Sequence, residues 1–362
     1  MKSALLVVGL LFVSTGIYCT SPAQPGKDST SPLDWERSAE AYDKQRLQAL
    51  RTQIDRNVYK QINSVVVIKN GKLLVEEYYN GSSRAALHDP RSVGKTFASA
   101  LTGIALAEGH LRGPDQPLSD FYRLRQYRNY APAKERITLR DLLTMSSNFA
   151  GDDNDDNSPG NENNMYDRPD WVKWTLDLPV VADRRAGEQW HYFTAGAVLL
   201  GDVLNQKVPG GLEKYAAAKL FRPLNITRYR WEYTPQRVPS TAGGLRMSAL
   251  DFAKFGQLYQ NGGQWRGQQI IPAAWVEQSL QPHQQTAFGD RYGYLWWNKA
   301  YTVGHRQHNT FYCSGNGGNK IFVFADLDLV VVVTASAYNQ RYMHKQVDEL
   351  MTQYVLPAVL GG

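Results

Sequence analysis

Two pairs of β-rich segments, one near each end of the chain, constrain the fold more than any other feature. The first, "SVVVIKNGKLLVEEYY", contains Asn70-Gly71, the dipeptide favoured in two-residue hairpin turns. The second, "KIFVFA" and "LVVVVTASA", is separated only by Asp326, Leu327 and Asp328. Between the two pairs the sequence has helical periodicity, as in "TFASALTGIALAEGHL", "TLRDLLTM", "AGAVLLGDVLNQ" and "SALDFAKFGQLYQNGG". We therefore predict an α+β (α/β) fold, with a central antiparallel sheet built from both chain ends and flanked by helices.

This order of elements predicts one large domain behind an N-terminal extension. The domain is expected at 37–362, with sheet regions at about 37–90 and 290–362 and an inserted, mostly helical region at about 91–289. Residues 24–36 are rich in Pro, Ser and Gly and are predicted to be a linker. Helical character is also expected in "ERSAEAYDKQRLQALRTQIDRNVY" and in "NQRYMHKQVDELMTQYVL" near the C-terminus.

The first residues have the pattern of a secretory leader. Lys2 precedes an apolar run from Ala4 to Val13, which is too short to span a membrane, and small and polar residues follow. We therefore predict a signal peptide at 1–23 and a periplasmic or secreted protein. Lipid attachment at Cys19 is the alternative, although the bulky Tyr18 before it fits a lipidation site badly.

Charge and cysteine content exclude several classes of function. The 40 Lys and Arg residues are scattered among 34 acidic residues, so a nucleic-acid partner is not expected. Removal of the leader would leave Cys313 as the one thiol, which excludes an intrachain disulfide. The acidic loop "GDDNDDNSPGNENNMYDRPDW" has Asn157 and Asn163 where a calcium loop needs Gly and Glu. We predict that this loop borders a site and that no metal is bound.

The segment "HDPRSVGKTFAS" contains two overlapping motifs that exclude each other. Gly94, Lys95 and Thr96 could end a phosphate-binding loop, G-x-x-x-x-G-K-[ST]. In that pattern, however, Asp89 takes the place of the first glycine, and Pro90 lacks the backbone N–H that a phosphate cradle needs. The phosphate-loop interpretation is therefore rejected.

The second motif is S-x-x-K, formed by Ser92 and Lys95 at the predicted start of a helix. The simplest alternative makes Ser92 an N-cap. A capping pair, however, has Glu or Gln three residues later, and the positive end of the helix dipole disfavours a cation there. Lys95 suits a base better, because side chains three residues apart share one helix face. The first N–H groups of the helix can also bind a developing oxyanion.

Several segments, in this order, resemble the serine β-lactamase and penicillin-recognising superfamily. They are "SVGKTFASALTGIALAEGHL", "ITLRDLLTMSSNFAG", "AGEQWHYFTAGAVLLGDVL", "TAGGLRMSALDFAKFGQLYQNGGQW" and "CSGNGGNKIFVFADLDLVVVV". Class C β-lactamase-related enzymes, family VIII esterases and 6-aminohexanoate-dimer hydrolases are the nearest members in pattern. The resemblance implies a β-lactamase-like fold.

The resemblance also implies roles for individual residues. Ser92 would be the nucleophile, Lys95 its base, and Tyr192 a second base that passes the proton to the leaving group. The backbone N–H groups of Ser92 and Asn316 would form the oxyanion hole. Contacts with the substrate are expected from a set of four residues: Trp190, Thr194, Ser314 and Gly315.

This chain departs from the family pattern at two positions. Thr194 stands where the Y-x-N motif has its amide, and Cys313 stands where the Lys-Thr-Gly element has its cation. Both changes weaken the case for binding a β-lactam or a peptide carboxylate. Aromatic residues in "DRYGYLWWN", together with Trp190, are expected either to line an apolar acyl pocket or to belong to the core.

The sequence thus predicts an exported serine hydrolase that cleaves a small-molecule amide or ester through an acyl-enzyme on Ser92. No cofactor is expected, and the enzyme could work close to the cell wall or a membrane surface. Two alternatives stay open. One is a β-lactamase or D-alanyl-D-alanine peptidase, and the other is a non-catalytic relative that binds peptidoglycan or a protein partner.

Overall fold

Eight antiparallel strands form one large sheet at the centre of the computed structural model, which describes residues 35–361. The predicted signal peptide at 1–23, Cys19 and most of the predicted linker at 24–36 lie outside the described residues. Four further strands form two small sheets, β3-β4 and β5-β6. All strands of the described residues are β1 (Ile62–Lys69), β2 (Lys72–Tyr78), β3 (Arg230–Trp231), β4 (Leu245–Arg246), β5 (Gln264–Trp265), β6 (Gln268–Gln269), β7 (Gln284–Gln285), β8 (Arg291–Tyr292), β9 (Trp297–Val303), β10 (Arg306–Gly315), β11 (Asn319–Phe324) and β12 (Leu329–Ala335). The order in the large sheet is β2-β1-β12-β11-β10-β9-β8-β7, so strands from the two chain ends meet at β1 and β12.

Both predicted hairpins are confirmed. Asn70 and Gly71 have φ angles of 50° and 70°, as a two-residue turn with two left-handed residues requires, and β1 pairs with β2. β11 pairs with β12 across a short 3₁₀ turn, and Asp328 closes that turn with φ 43°. The antiparallel sheet built from both chain ends is therefore present.

Helices cover both faces of this sheet. They are α1 (Lys44–Asp55), α2 (Gly94–Ala107), α3 (Leu139–Leu143), α4 (Asn163–Tyr166), α5 (Trp171–Asp177), α6 (Thr194–Lys207), α7 (Leu212–Ala216), α8 (Ala249–Gln260), α9 (Ala273–Leu280), α10 (Met343–Leu350) and α11 (Leu356–Leu360). The segments predicted to be helical between the hairpins correspond to α2, α3, α6 and α8. Within residues 35–361, no helix is both long and apolar enough to cross a membrane.

The sheet separates two hydrophobic cores. Val66 and Ile68 of β1 belong to the core that contains α2, α6 and α8, whereas Val65 and Val67 belong to the core that contains α1, α10 and α11. Successive side chains on a strand point to opposite faces, so a strand between two cores must be apolar at every position. This explains the uninterrupted valine runs that the sequence shows in β1 and β12.

Element boundaries differ from the sequence prediction at both ends. The N-terminal helix begins at Lys44 rather than near residue 36, because the Asp43 side chain caps it by accepting a hydrogen bond from Arg46 N. Before the cap, Arg37 forms a parallel bridge with Leu73. The large sheet also resumes at β7, before the boundary at residue 290 that the sequence suggests.

Candidate active site

Ser92 lies in a tight turn directly before α2. The turn is a single 3₁₀ segment, Arg91–Val93, and Arg91 adopts the left-handed conformation with φ 53°. Asp89 stabilises the turn, since its Oδ1 accepts a hydrogen bond from Arg91 N at 2.9 Å. Ser92 does not cap α2, which has Val93 at its N-cap and no side-chain cap bond. The Ser92 hydroxyl is half-buried and available for other contacts.

Lys95 directs its amine at the Ser92 hydroxyl. Lys95 Nζ donates a hydrogen bond to Ser92 Oγ at 2.8 Å and a second one to the carbonyl oxygen of Ala242 at 2.7 Å. The side chain is only 2% exposed. It also lies over the Tyr192 ring, with Nζ 5.3 Å from the ring centroid. The structure therefore brings Ser92, Lys95 and Tyr192 together, with the lysine oriented by a backbone carbonyl.

Tyr192 lies just before α6 and is held by aromatic neighbours. Its ring centroid is 6.1 Å from that of Trp190 and 5.9 Å from that of Trp297. Burial raises the pKa of Tyr192, although the charge of Lys95 acts in the opposite direction. The Tyr192 hydroxyl is consequently protonated at neutral pH and can pass on a proton that it regains from a neighbour.

The end of β10 packs directly on the turn that carries Ser92. A Cβ atom added at Gly315 would lie 1.9 Å from the carbonyl oxygen of Pro90 and 3.2 Å from Ser92 N. Asn316 follows, and its side chain exchanges two hydrogen bonds with Asn339, at 2.6 and 2.7 Å. Within residues 35–361, the backbone N–H groups of Ser92 and Asn316 have no protein acceptor. Both donors are therefore available to an incoming oxygen.

Two adjoining cavities, of about 370 and 440 Å³, meet at Ser92, Glu162 and Asn316. The larger one is lined by Ser314 and Gly315, as the sequence predicted for substrate contacts, and by a set of aromatic residues: Tyr192, Phe288, Trp297 and Tyr312. The polar loop at 151–171 borders both cavities. A substrate bound at Ser92 can therefore extend in two directions.

Thr194 and Trp190 lie behind the cavity wall instead of on it. Thr194 is fully buried at the start of α6, and Trp190 is 7% exposed. Trp190 packs against Tyr192, Phe288 and Trp297, so it supports three residues that line the cavity. Of the aromatic residues in 290–298, Trp297 lines the cavity, whereas Tyr292, Tyr294 and Trp296 are core residues.

Asp153 is a site residue that the sequence did not single out. Its two carboxylate oxygens accept hydrogen bonds from the backbone N–H groups of Thr194 and Glu162, at 2.7 and 2.8 Å. Its own N–H donates to the carbonyl oxygen of Tyr192. Burial, followed by the nearby charge of Glu162, raises the pKa of Asp153 to about 6. Asp153 thus fastens the 151–171 loop to the segment that carries Tyr192.

The neighbourhood of Cys313 also differs from the sequence expectation. Cys313 faces α2, where Thr96 Oγ1 donates a hydrogen bond to its Sγ at 3.2 Å, and burial raises the pKa of its thiol. A cation is nevertheless present nearby. Lys320 of β11, the register partner of Ser314, lines the larger cavity. Sequence spacing could not reveal it, because the two strands meet only in the folded sheet.

The part of the chain that the structure describes contains no arrangement of side chains suited to binding a metal ion. No group of three or more His, Cys, Asp or Glu side chains there is arranged to hold a metal ion. In the acidic loop, Asp152, Asp153 and Asp155 accept hydrogen bonds from backbone N–H groups of the loop and of α6. These carboxylates therefore order the loop itself.

Solved structures with the same fold include three that are described as having different functions. They are a protein assigned as a 6-aminohexanoate-dimer hydrolase from Bacillus anthracis (18% identity, 90% of this chain and 87% of that chain, TM-score 0.71), an octameric penicillin-binding protein homologue from Pyrococcus abyssi (20%, 88% and 77%, 0.65) and a family VIII carboxylesterase (13%, 89% and 99%, 0.65). At these identities the likeness shows the fold. No curated protein gives a significant match.

A family model gives the assignment directly. The model described as Beta-lactamase matches residues 56–349, which include both hairpins and every residue of the site described above. Its range begins before β1 and ends within α10. The chain belongs to the β-lactamase family.

Proposed function

We propose that this protein is a serine hydrolase that cleaves an amide or ester bond through an acyl-enzyme on Ser92. The observation that carries the proposal is the 2.8 Å hydrogen bond between Lys95 Nζ and Ser92 Oγ at the junction of two cavities. Catalysis by a nucleophile needs a base within hydrogen-bond reach and a third group that orients the base. Lys95 and the carbonyl oxygen of Ala242 meet both requirements.

The proposed reaction has two steps. Lys95 Nζ takes the Ser92 proton as Oγ attacks the carbonyl carbon, and the N–H groups of Ser92 and Asn316 bind the resulting oxyanion. The leaving group then departs with a proton relayed through Tyr192. In the second step, Lys95 and Tyr192 accept a proton from a water molecule as its oxygen attacks the acyl carbon. The bond between the acyl carbon and Ser92 Oγ then breaks, the proton returns to Oγ, and the acid is released.

Three solved structures of similar fold support an amide or ester as substrate. They are described as a 6-aminohexanoate-dimer hydrolase, a family VIII carboxylesterase and a penicillin-binding protein homologue. Buried Cys313 takes the place of the cation in the third family element, which favours the esterase or amidase activity over β-lactam or D-alanyl-D-alanine hydrolysis. The Lys95 contact with Ser92 argues against a purely binding relative, because binding alone does not require a buried amine at a serine hydroxyl.

We also propose export, on the basis of the leader pattern at residues 1–23. The substrate would then be a small molecule outside the cytoplasm, close to the cell wall or membrane surface. N-terminal sequencing of protein recovered from the periplasm or medium tests this proposal. An intact Met1 in the mature protein would contradict it.

A double-mutant cycle tests the catalytic pair. Ser92→Ala and Lys95→Ala are each expected to abolish turnover of a nitrophenyl ester without unfolding the protein. Because the two residues act as one unit, the double variant should be hardly worse than either single variant. Multiplication of the two separate losses would contradict the shared role.

A further inference from the structure

A buried lysine that makes neither a hydrogen bond nor an ion pair within the described residues faces the larger cavity. Lys320 is 3% exposed, and its side chain lines the cavity that also contains Ser92 and Ser314. Within the described residues, its amine makes no hydrogen bond and no ion pair. It lies over the rings of Tyr312 and Phe322, with Nζ 4.4 and 6.0 Å from their centroids. An isolated ammonium in such a place is costly unless something compensates it.

The nearby acids are already engaged with other groups. Asp348 of α10 accepts hydrogen bonds from Lys299 Nζ at 2.8 Å and from the Tyr301 hydroxyl. Asp290 accepts a hydrogen bond from the Tyr312 hydroxyl. Asp348 thus forms an ion pair with Lys299, and no nearby acid of the described residues is left to form an ion pair with Lys320.

His344 adds a second polar group without a partner to the same wall. Its Nδ1 is buried and makes no hydrogen bond within residues 35–361. Burial, followed by the charge of Lys320, lowers the pKa of His344 to about 3, so the ring is neutral at physiological pH. A neutral imidazole can share a hydrogen bond with a ligand without adding charge.

We propose that Lys320, assisted by His344, binds a carboxylate carried by the substrate, so that the enzyme acts on amides or esters of molecules with a free acid group. The proposal rests on the proposed function, since the subsite belongs to the cavity at Ser92. The subsite is separate from position 313: Cys313 faces α2, whereas Lys320 and Ser314 lie on the opposite face of the sheet, towards α10.

A bound carboxylate would supply the partner that the buried amine lacks, and a charge-assisted hydrogen bond in a cavity is stronger than one in water. Burial, and then the nearby Lys299, lowers the pKa of Lys320 to about 7, with Asp348 and Asp290 acting in the opposite direction. Binding of an anion at pH 8 should therefore be accompanied by uptake of a proton at Lys320.

Calorimetric binding to the Ser92→Ala protein tests the subsite without any need for turnover. The probes are the monoanilides of succinic, glutaric and adipic acid, each paired with its uncharged methyl ester. We expect at least one monoanilide to bind about tenfold more tightly than its ester, as one charge-assisted hydrogen bond would provide. Heats measured in buffers of different ionisation enthalpy at pH 8 should show the proton uptake.

Two further variants distinguish binding of the carboxylate by Lys320 from a non-specific effect of positive charge on the protein. Adding Lys320→Met should abolish both the preference for the acid and the proton uptake. Lys345→Met is the matched control, because Lys345 lies on the same helix as His344 with its side chain 80% exposed, and it should leave the preference intact.

Equal affinities for acids and esters in the Ser92→Ala protein would overturn the proposal, as would a preference that survives Lys320→Met. The first comparison needs no change at Lys320, so it stands even if that variant does not fold. If wild-type Ser92 proved unreactive while the acids still bound preferentially, the proposed function would fail and the subsite would remain.

Discussion

Substitution of Gly315 by alanine tests how closely β10 fixes the position of the nucleophile. The new Cβ would lie 1.9 Å from the carbonyl oxygen of Pro90, so β10 and the turn carrying Ser92 must separate by at least about 1 Å to reach van der Waals contact. Overpacking of this kind typically costs about 1–3 kcal/mol of stability. A displacement of about 1 Å can lower the rate of catalysis by roughly 10²-fold, because the N–H groups of Ser92 and Asn316 would no longer both point at the oxyanion.

The assay compares kcat/KM on a nitrophenyl ester with the melting temperature, measured on the same preparation. Gly113→Ala is the control, because a Cβ atom at Gly113 meets nothing within 4 Å and should leave activity unchanged. Activity is measured well below the melting temperature of each variant, so that unfolding does not contribute. A folded Gly315→Ala protein with near-normal kcat/KM would refute the claim that this contact positions Ser92.

Three other predictions follow from the site. Asn316→Ala keeps the backbone N–H and should retain most activity despite losing the bonds to Asn339, whereas Asn316→Pro removes the N–H and should lower kcat by roughly 10² to 10³; equal losses in the two variants would contradict an oxyanion role for the N–H. Cys313 should resist iodoacetamide in the folded protein and react fully in denaturant, because it is buried and its thiol pKa is raised. The pKa of Lys320 falls from 10.5 to about 7 on folding, so the unfolded chain binds the extra proton and stability should rise with pH between these values. Urea unfolding at pH 7 and at pH 9 measures this increase in the free energy of unfolding, which should be roughly 2 kcal/mol smaller in Lys320→Met than in the wild type. Equal increases in the two proteins would contradict the lowered pKa of Lys320.

The parts of the fold that sequence predicts well are those specified by neighbouring residues. Asn70-Gly71 encodes its own turn, and the valine runs of β1 and β12 require burial on both faces. The predicted sheet region from about residue 290 includes β8, β9 and β10 but not β7, and the sequence does not indicate where these individual strands begin and end. In β10 polar and apolar residues are mixed, because its first half is largely exposed while its second half packs on the site. Such a strand is defined by its partners β9 and β11 more than by its own pattern.

The same distinction applies to the site. Ser92 and Lys95 could be paired from sequence because three residues on one turn bring their side chains together. Tyr192 and Asn316 were placed by resemblance, not by spacing. Lys320 was missed, because its position beside the substrate cavity depends on the register between β10 and β11. Asp153 was missed because its acceptor role depends on Thr194, which is distant in sequence.

Mass spectrometry after treatment with a fluorophosphonate tests the central claim most directly. The reagent forms a stable phosphonyl ester with a serine that is activated by a nearby base, and it leaves ordinary serines unmodified. We predict a single adduct, located on Ser92 by peptide mapping, and its loss in the folded Lys95→Ala protein, because Lys95 Nζ is the group that contacts Ser92 Oγ. A folded wild-type protein that remains unlabelled, or one labelled at another serine, would contradict the assignment of Ser92 as the nucleophile.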